Sequence, residues 1–72
     1  MKCVIEFDMN NDAFDGFPEV EAGRLLDQAR LHLGVMLQDS GLKKELNNKQ
    51  QISLALIDSN GNTVGTVSLT NE

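Results

Sequence analysis

The first residues of the chain alternate between two kinds of position. Met1, Cys3, Ile5 and Phe7 are apolar and occupy every second position. A period of two is typical of a strand with one buried face. The pattern predicts strand 1 over residues 2–8 and places Cys3 toward the core as a small apolar side chain.

A helical pattern follows from Pro18 to about Asp39. At about 100° per residue, one set of apolar residues falls in a single arc that should pack on the sheet. These residues are Ala22, Leu25, Leu26, Ala29, Leu33, Met36 and Leu37. Pro18 suits the first helical position, and Gly41 suits a left-handed cap at the end. Phe14 and Phe17 are expected to pin the preceding loop to the core.

The same helix carries apolar residues on its opposite side. Docking on one core needs only one apolar face, so this outer stripe is expected to contact a twin subunit or another protein. The candidate partner or dimer interface consists of Val20, Arg24, Asp27, Leu31, Gly34 and Val35. Two alternatives remain open: Leu42 and Leu46, whose spacing of four also allows a short helical turn, fold back over the stripe, or its residues are simply exposed.

The last third of the chain has the pattern of a β-hairpin. Residues 52–57 and 64–69 flank a turn that contains Asn60-Gly61, a strong hairpin signal. A two-residue turn sets Leu54 opposite Val67 on the buried face and leaves Ile57 and Val64 as an outer apolar pair.

Together these elements predict one α+β domain over residues 1–72. Its architecture is a two-layer β-α-β-β fold, with one long helix packed on a three-stranded antiparallel sheet in the preferred order 1-3-2. The alternative places strand 1 parallel to strand 2 through a right-handed crossover. Either arrangement leaves two sheet edges open, and edge pairing is a second route to a homodimer. A core this small also favours dimerisation.

Charge and composition narrow the classes of partner. Eleven Asp and Glu oppose six Lys and Arg, for a net charge of −5, which argues against direct binding of nucleic acid. A single cysteine and the absence of a signal peptide or membrane-spanning run predict a cytoplasmic location.

Acidic residues concentrate in the first half of the chain. The candidate acidic docking surface consists of Asp12, Asp15, Glu19 and Glu21. It could engage a basic groove of another protein, including one built for nucleic acid, and the alternative is an ordinary solvated surface.

The sequence contains only weak signals for a metal site or a catalytic residue. Residues 8–19 match several oxygen positions of a calcium-binding loop, but Ala13 replaces its glycine and Pro18 interrupts it, so a polar strand-to-helix turn is favoured. His32 has no second histidine and is interpreted as structural or surface-exposed. The sequence predicts no enzyme, no catalytic residue, no metal and no cofactor.

Three segments resemble a group of small acidic bacteriophage and prophage proteins. They are residues 1–14, the helix after them and residues 56–65, whereas residues 39–51 lie outside the resemblance. The group has no function that can be assigned to individual residues. It implies a setting in which small proteins bind host proteins, as inhibitors of host defence such as anti-CRISPR proteins do. We therefore expect a non-enzymatic inhibitor that occludes a surface of a host defence complex. The alternative is a structural or accessory homodimer module without an inhibitory role.

Overall fold

A computed structural model describes residues 1–71. The elements are β1 (Lys2–Phe7), a 3-10 helix (Asp12–Phe14), α1 (Pro18–Gln38), α2 (Ser40–Lys49), β2 (Gln51–Ile57) and β3 (Thr63–Thr70). The strands form one antiparallel sheet in the order β1-β3-β2. The predicted α+β class and the preferred strand order are confirmed, and the parallel alternative is wrong.

The helical segment continues beyond the predicted stop. Asp39 interrupts it, but the Asp39 carboxylate accepts a hydrogen bond from the backbone of Leu42 at 3.0 Å and so caps a second helix. Gly41 therefore lies inside α2, and its predicted role as a left-handed cap is wrong. Gln50, with φ of 66°, ends α2 instead. Leu42 and Leu46 lie on a full helix rather than a short turn.

One hydrophobic core joins the two layers. Its members are Phe14, Leu25, Ala29, Met36, Leu46, Ile52, Leu56, Val67 and Leu69. The centre of the predicted apolar arc is buried, but Leu26 and Leu37 at its edge are exposed. The reason is that α1 packs mainly against β2 and β3, so its flank on the other side lacks a covering strand.

β1 is also exposed, because α1 packs over β2 and β3 and not over β1. Cys3 and Ile5 pair with the buried residues Leu69 and Val67, so they share the helix-side face of the sheet. Even so, Cys3 is exposed and Ile5 retains 38% of its accessible surface. The predicted strand is confirmed, but the expectation of one buried face with Cys3 in the core is wrong: only Phe7 is partly buried, because α1 does not extend over this strand.

The hairpin has the predicted register along its strands and a different turn. Leu54 pairs with Val67 as expected, but the register shifts after Leu56, so Ile57 opposes Thr63 instead of Val64. Gly61 N–H donates to the Asp58 carbonyl at 3.0 Å, and Gly61 has φ of 86°. Because Asn60 does not have positive φ, the turn is not the predicted two-residue primed turn. A type I-like turn followed by a left-handed glycine replaces it.

Gly61→Val is expected to destabilise the protein by about 1–3 kcal/mol, because a β-branched residue resists the positive φ of this position. Chemical denaturation measures the change. Gly23→Ala is the control: Gly23 lies inside α1 with open space around it and no positive φ, so this variant should be unchanged or slightly more stable. A Gly61→Val protein as stable as the wild type would show that the turn tolerates other geometries.

Candidate protein-binding surfaces

A buried carboxylate joins the start of α1 to the tip of the hairpin. Glu21 is only 6% exposed, and its two carboxylate oxygens accept hydrogen bonds from Arg24 Nε at 3.0 Å and Nη2 at 2.9 Å. Ser59 N–H donates to the same carboxylate at 2.8 Å. Helical spacing brings Glu21 and Arg24 together, whereas only the tertiary fold brings Ser59 to them.

A second buried carboxylate organises the hairpin tip itself. Asp58 Oδ1 accepts hydrogen bonds from the backbone N–H groups of Asn60 at 2.9 Å and Asn62 at 2.8 Å. The Asn11 side chain donates to Asp58 Oδ2, and Asn11 Oδ1 in turn caps the 3-10 helix through Ala13 N–H. The loop after β1 is thereby tied to the turn between β2 and β3.

Both carboxylates are held in their charged form. Hydrogen bonds from Arg24 lower the pKa of Glu21 to about 2, and this effect outweighs desolvation by burial. Burial alone raises the pKa of Asp58, but hydrogen bonds from Asn62, Asn11 and Asn60 together leave it below its usual value. Glu21 therefore stabilises the fold and is not available on the acidic docking surface, contrary to the sequence prediction.

Glu21 is expected to make stability dependent on pH in acid. Because its pKa is lowered from 4.5 to about 2 on folding, its contribution is complete above pH 4.5 and is lost as the pH falls toward 2. Urea unfolding over this range should show a shallower pH dependence for Glu21→Gln than for the wild type. Glu19→Gln, an exposed neighbour in the same turn, is the control and should keep the wild-type slope. Equal slopes for Glu21→Gln and the wild type would contradict the assignment.

The outer stripe of α1 remains uncovered by α2. Val20, Leu31 and Val35 are 67%, 61% and 51% exposed, whereas Leu46 lies in the core. The alternative in which Leu42 and Leu46 cover the stripe is therefore wrong.

The polar members of the same predicted interface differ from one another. Arg24 is turned toward Glu21 and the Ile57 carbonyl, so part of its hydrogen-bonding capacity is used inside the chain. Asp27 is exposed and lies 3.7 Å from Arg30 in a surface ion pair, and Gly34 is half-buried.

The acidic surface has an aromatic centre that the sequence pattern did not indicate. Asp12, Asp15 and Glu19 are exposed. Phe17 lies within five residues of each of them in the sequence, at the N-terminal end of α1, and is 71% exposed, so its expected role in holding the loop against the core is wrong. Phe14 alone fills that role, buried beside Phe7 with the ring centres 6.3 Å apart. We define the acidic tip as Asp12, Asp15, Phe17, Glu19 and Val20.

His32 and the calcium-like loop, the features considered above for chemistry, form structural contacts. His32 Nε2 lies 3.0 Å from the Ala55 carbonyl, in agreement with a structural histidine. In residues 1–71, no three His, Cys, Asp or Glu side chains are grouped so that they could hold a metal ion. Asn11 of the calcium-like loop caps the 3-10 helix and binds Asp58, as expected of a polar turn.

Comparison with protein-family models, with curated proteins and with solved structures finds no match to this chain. The phage resemblance therefore stays a prediction.

No helix of residues 1–71 combines the length and apolarity needed to cross a membrane, since α1 carries five charged residues along its 21 positions: Glu19, Glu21, Arg24, Asp27 and Arg30.

Proposed function

We propose that this protein is a non-enzymatic, phage-type binding module that inhibits a host defence complex by occluding one of its surfaces in the host cytoplasm. The observation that carries the proposal is the acidic tip. Phe17 has an exposed aromatic ring, its carbonyl accepts a hydrogen bond from Val20 N–H at 3.1 Å, and three exposed carboxylates lie within five residues of it in the sequence. This combination has the composition of a protein-binding site, an apolar anchor within a polar rim.

The charge of the acidic tip supports a basic partner. Defence complexes that handle nucleic acid need basic surfaces to bind phosphates, and an acidic protein is complementary to such surfaces. The net charge of −5 would also steer association and would disfavour direct contact of this protein with nucleic acid. Binding should therefore weaken with added salt, because exposed charges are screened over about 8–10 Å at moderate ionic strength.

The outer stripe of α1 extends this surface. Leu31 and Val35 continue the exposed apolar positions along the helix beyond Val20. Because α2 packs elsewhere, a partner that contacts the acidic tip could also lie along the stripe. In this interpretation Val20 belongs to both regions and joins them.

A double charge reversal tests the proposal. Asp15→Lys with Glu19→Lys reverses the charge on either side of Phe17, whereas Glu45→Lys with Asn47→Lys and Asn48→Lys makes an equal change of net charge on α2, outside the acidic tip and the outer stripe. In bacterial strains that each carry one defined defence system, the wild type should restore phage plating against one system. The acidic-tip variant should lose this activity, and the α2 control variant should keep it. Circular dichroism checks that both variants are folded.

Phe17→Ser separates the aromatic anchor from the charges. We expect it to abolish inhibition at constant net charge, and binding of the purified complex should be lost as well. Full activity of both acidic-tip variants would exclude this docking surface. A wild type without effect on any defence system would favour the alternative of an accessory homodimer module, which the open edge of β1 supports independently.

A further inference from the structure

The two edges of the sheet differ in their hydrogen bonding. At the β2 edge, Ile57 N–H donates to Gln28 Oε1 at 2.7 Å, and Gln28 Nε2 donates back to the Ile57 carbonyl at 3.1 Å. Arg24 Nη2 also donates to that carbonyl at 2.8 Å, and His32 contacts the Ala55 carbonyl. Side chains of α1 thus occupy backbone groups that another strand would need at the C-terminal end of β2.

The β1 edge has no such cover among residues 1–71. Asp8 N–H donates to the Val64 carbonyl at 2.8 Å, which identifies the even-numbered residues of β1 as those bonded to β3. The backbone N–H and C=O groups of Cys3, Ile5 and Phe7 therefore point to the free edge. The strand contains no proline, and its apolar residues Val4 and Ile5 are 37% and 38% exposed.

We infer that the free edge of β1 pairs antiparallel with β1 of a second copy of this chain, with Val4 opposite Val4 of the second copy. In this register Lys2 lies opposite Glu6 of the second copy, and the two-fold axis repeats the ion pair. Cys3 lies opposite Ile5 of the second copy on the helix-side face. A shift of two residues sets Lys2 against Val4 in one direction and Glu6 against Val4 in the other, and although the second shift also brings Lys2 opposite Asp8, only the proposed register pairs apolar with apolar and acidic with basic residues throughout.

The backbone pattern agrees with the same register. Cys3 and Ile5 both direct their N–H and C=O groups to the edge, so they form the hydrogen-bonded pairs, and Val4 forms the close non-hydrogen-bonded pair at the axis. The result is a continuous six-stranded sheet with both α1 helices on one face. Pairing at this edge leaves the outer stripes and acidic tips free, so the dimer would present two copies of each.

Charge-swap variants test the inference through the mass of the protein in solution, and this measurement does not need a host partner. Light scattering and sedimentation should give about twice the chain mass of 7.9 kDa for the wild type. Lys2→Glu and Glu6→Lys should each weaken dimerisation about tenfold or more, because both symmetric ion pairs become repulsive. A mixture of the two single variants should form a heterodimer, and the double variant should recover the homodimer. Within the chain these residues face Thr70 and Thr66, so the monomer fold should tolerate the changes.

Cross-linking tests the register. In a Cys3→Ser background, Val4→Cys should form a disulfide-linked dimer upon mild oxidation, because the two Cα atoms would lie about 4.5 Å apart. Lys2→Cys in the same background is the control and should not cross-link. A monomeric wild type at about millimolar concentration, or a dimer that neither charge variant weakens, would overturn the inference. If Leu31→Glu alone dissociated such a dimer, the outer stripe of α1 would be the interface instead.

Discussion

Gly65→Ala is expected to separate β1 from the sheet. A Cβ atom at Gly65 would overlap the backbone carbonyl oxygen of Glu6 and crowd the Cα atom of Phe7. Phe7 and Gly65 form a close pair in the β1–β3 ladder, so relief requires movement of the backbone rather than of a flexible side chain. Overpacking a well-packed site typically costs about 1–3 kcal/mol of stability. Because the backbone itself must move here, we expect a loss at the upper end of this range or above it.

Hydrogen exchange locates this effect. The amides of Val4, Glu6 and Asp8 are directed toward β3, and they should lose protection in Gly65→Ala. Gly34→Ala is the control: its Cβ meets open space in α1, and it should be neutral or gain up to about 1 kcal/mol. Unchanged protection of β1 in Gly65→Ala would mean that the strands can separate slightly without losing their pairing.

Leu56→Ala is expected to cause a large loss of stability. Leu56 is fully buried at the centre of the core, and truncation of such a leucine costs about 2–5 kcal/mol. A native domain has about 0.05–0.15 kcal/mol of stability per residue, so 72 residues give roughly 4–11 kcal/mol in total. The substitution therefore removes a large part of the available stability.

Leu31→Ala provides the matched control for Leu56→Ala. Leu31 is the same residue type but 61% exposed, so its truncation should change stability by less than about 0.5 kcal/mol. Urea denaturation at a low protein concentration, where dimerisation contributes little, measures both variants. Similar losses for the two leucines would mean that the outer stripe is covered in solution, in conflict with its role as a free binding surface.

The contacts at the hairpin tip affect both the stability of the fold and the proposed binding surface. Glu21 and Asp58 link the start of α1, the loop after β1 and the turn between β2 and β3. Phe17 and Glu19 lie four and two residues before Glu21 in the chain. The contacts of Glu21 therefore also position the acidic tip. A loss of activity in Glu21→Gln would thus report the position of the tip and not a direct contact with a partner.

The local sequence pattern determined the three strands, α1 and the pairing along the hairpin, but not the full length of α2 or the type of the hairpin turn. Alternation of apolar residues marks β1, the helical period marks α1, and the spacing of the hairpin strands sets Leu54 opposite Val67. These features depend on interactions between near neighbours or on matching two short apolar faces, so the sequence contains them directly. The order 1-3-2 was the preferred one of two arrangements that the hairpin leaves for β1, and the structure decided between them.

Only the tertiary structure decided which apolar and acidic residues are buried. Cys3 has the pattern of a core residue but is exposed because α1 lies over β2 and β3. Glu21 has the pattern of a surface acid but is buried, with hydrogen bonds from Arg24 and from Ser59 of the hairpin tip. Phe14 and Phe17 have the same residue type three positions apart, but Phe14 lies in the core and Phe17 is 71% exposed. Burial depends on where one layer ends over another and on contacts between residues far apart in the chain, which the period of a single element does not specify.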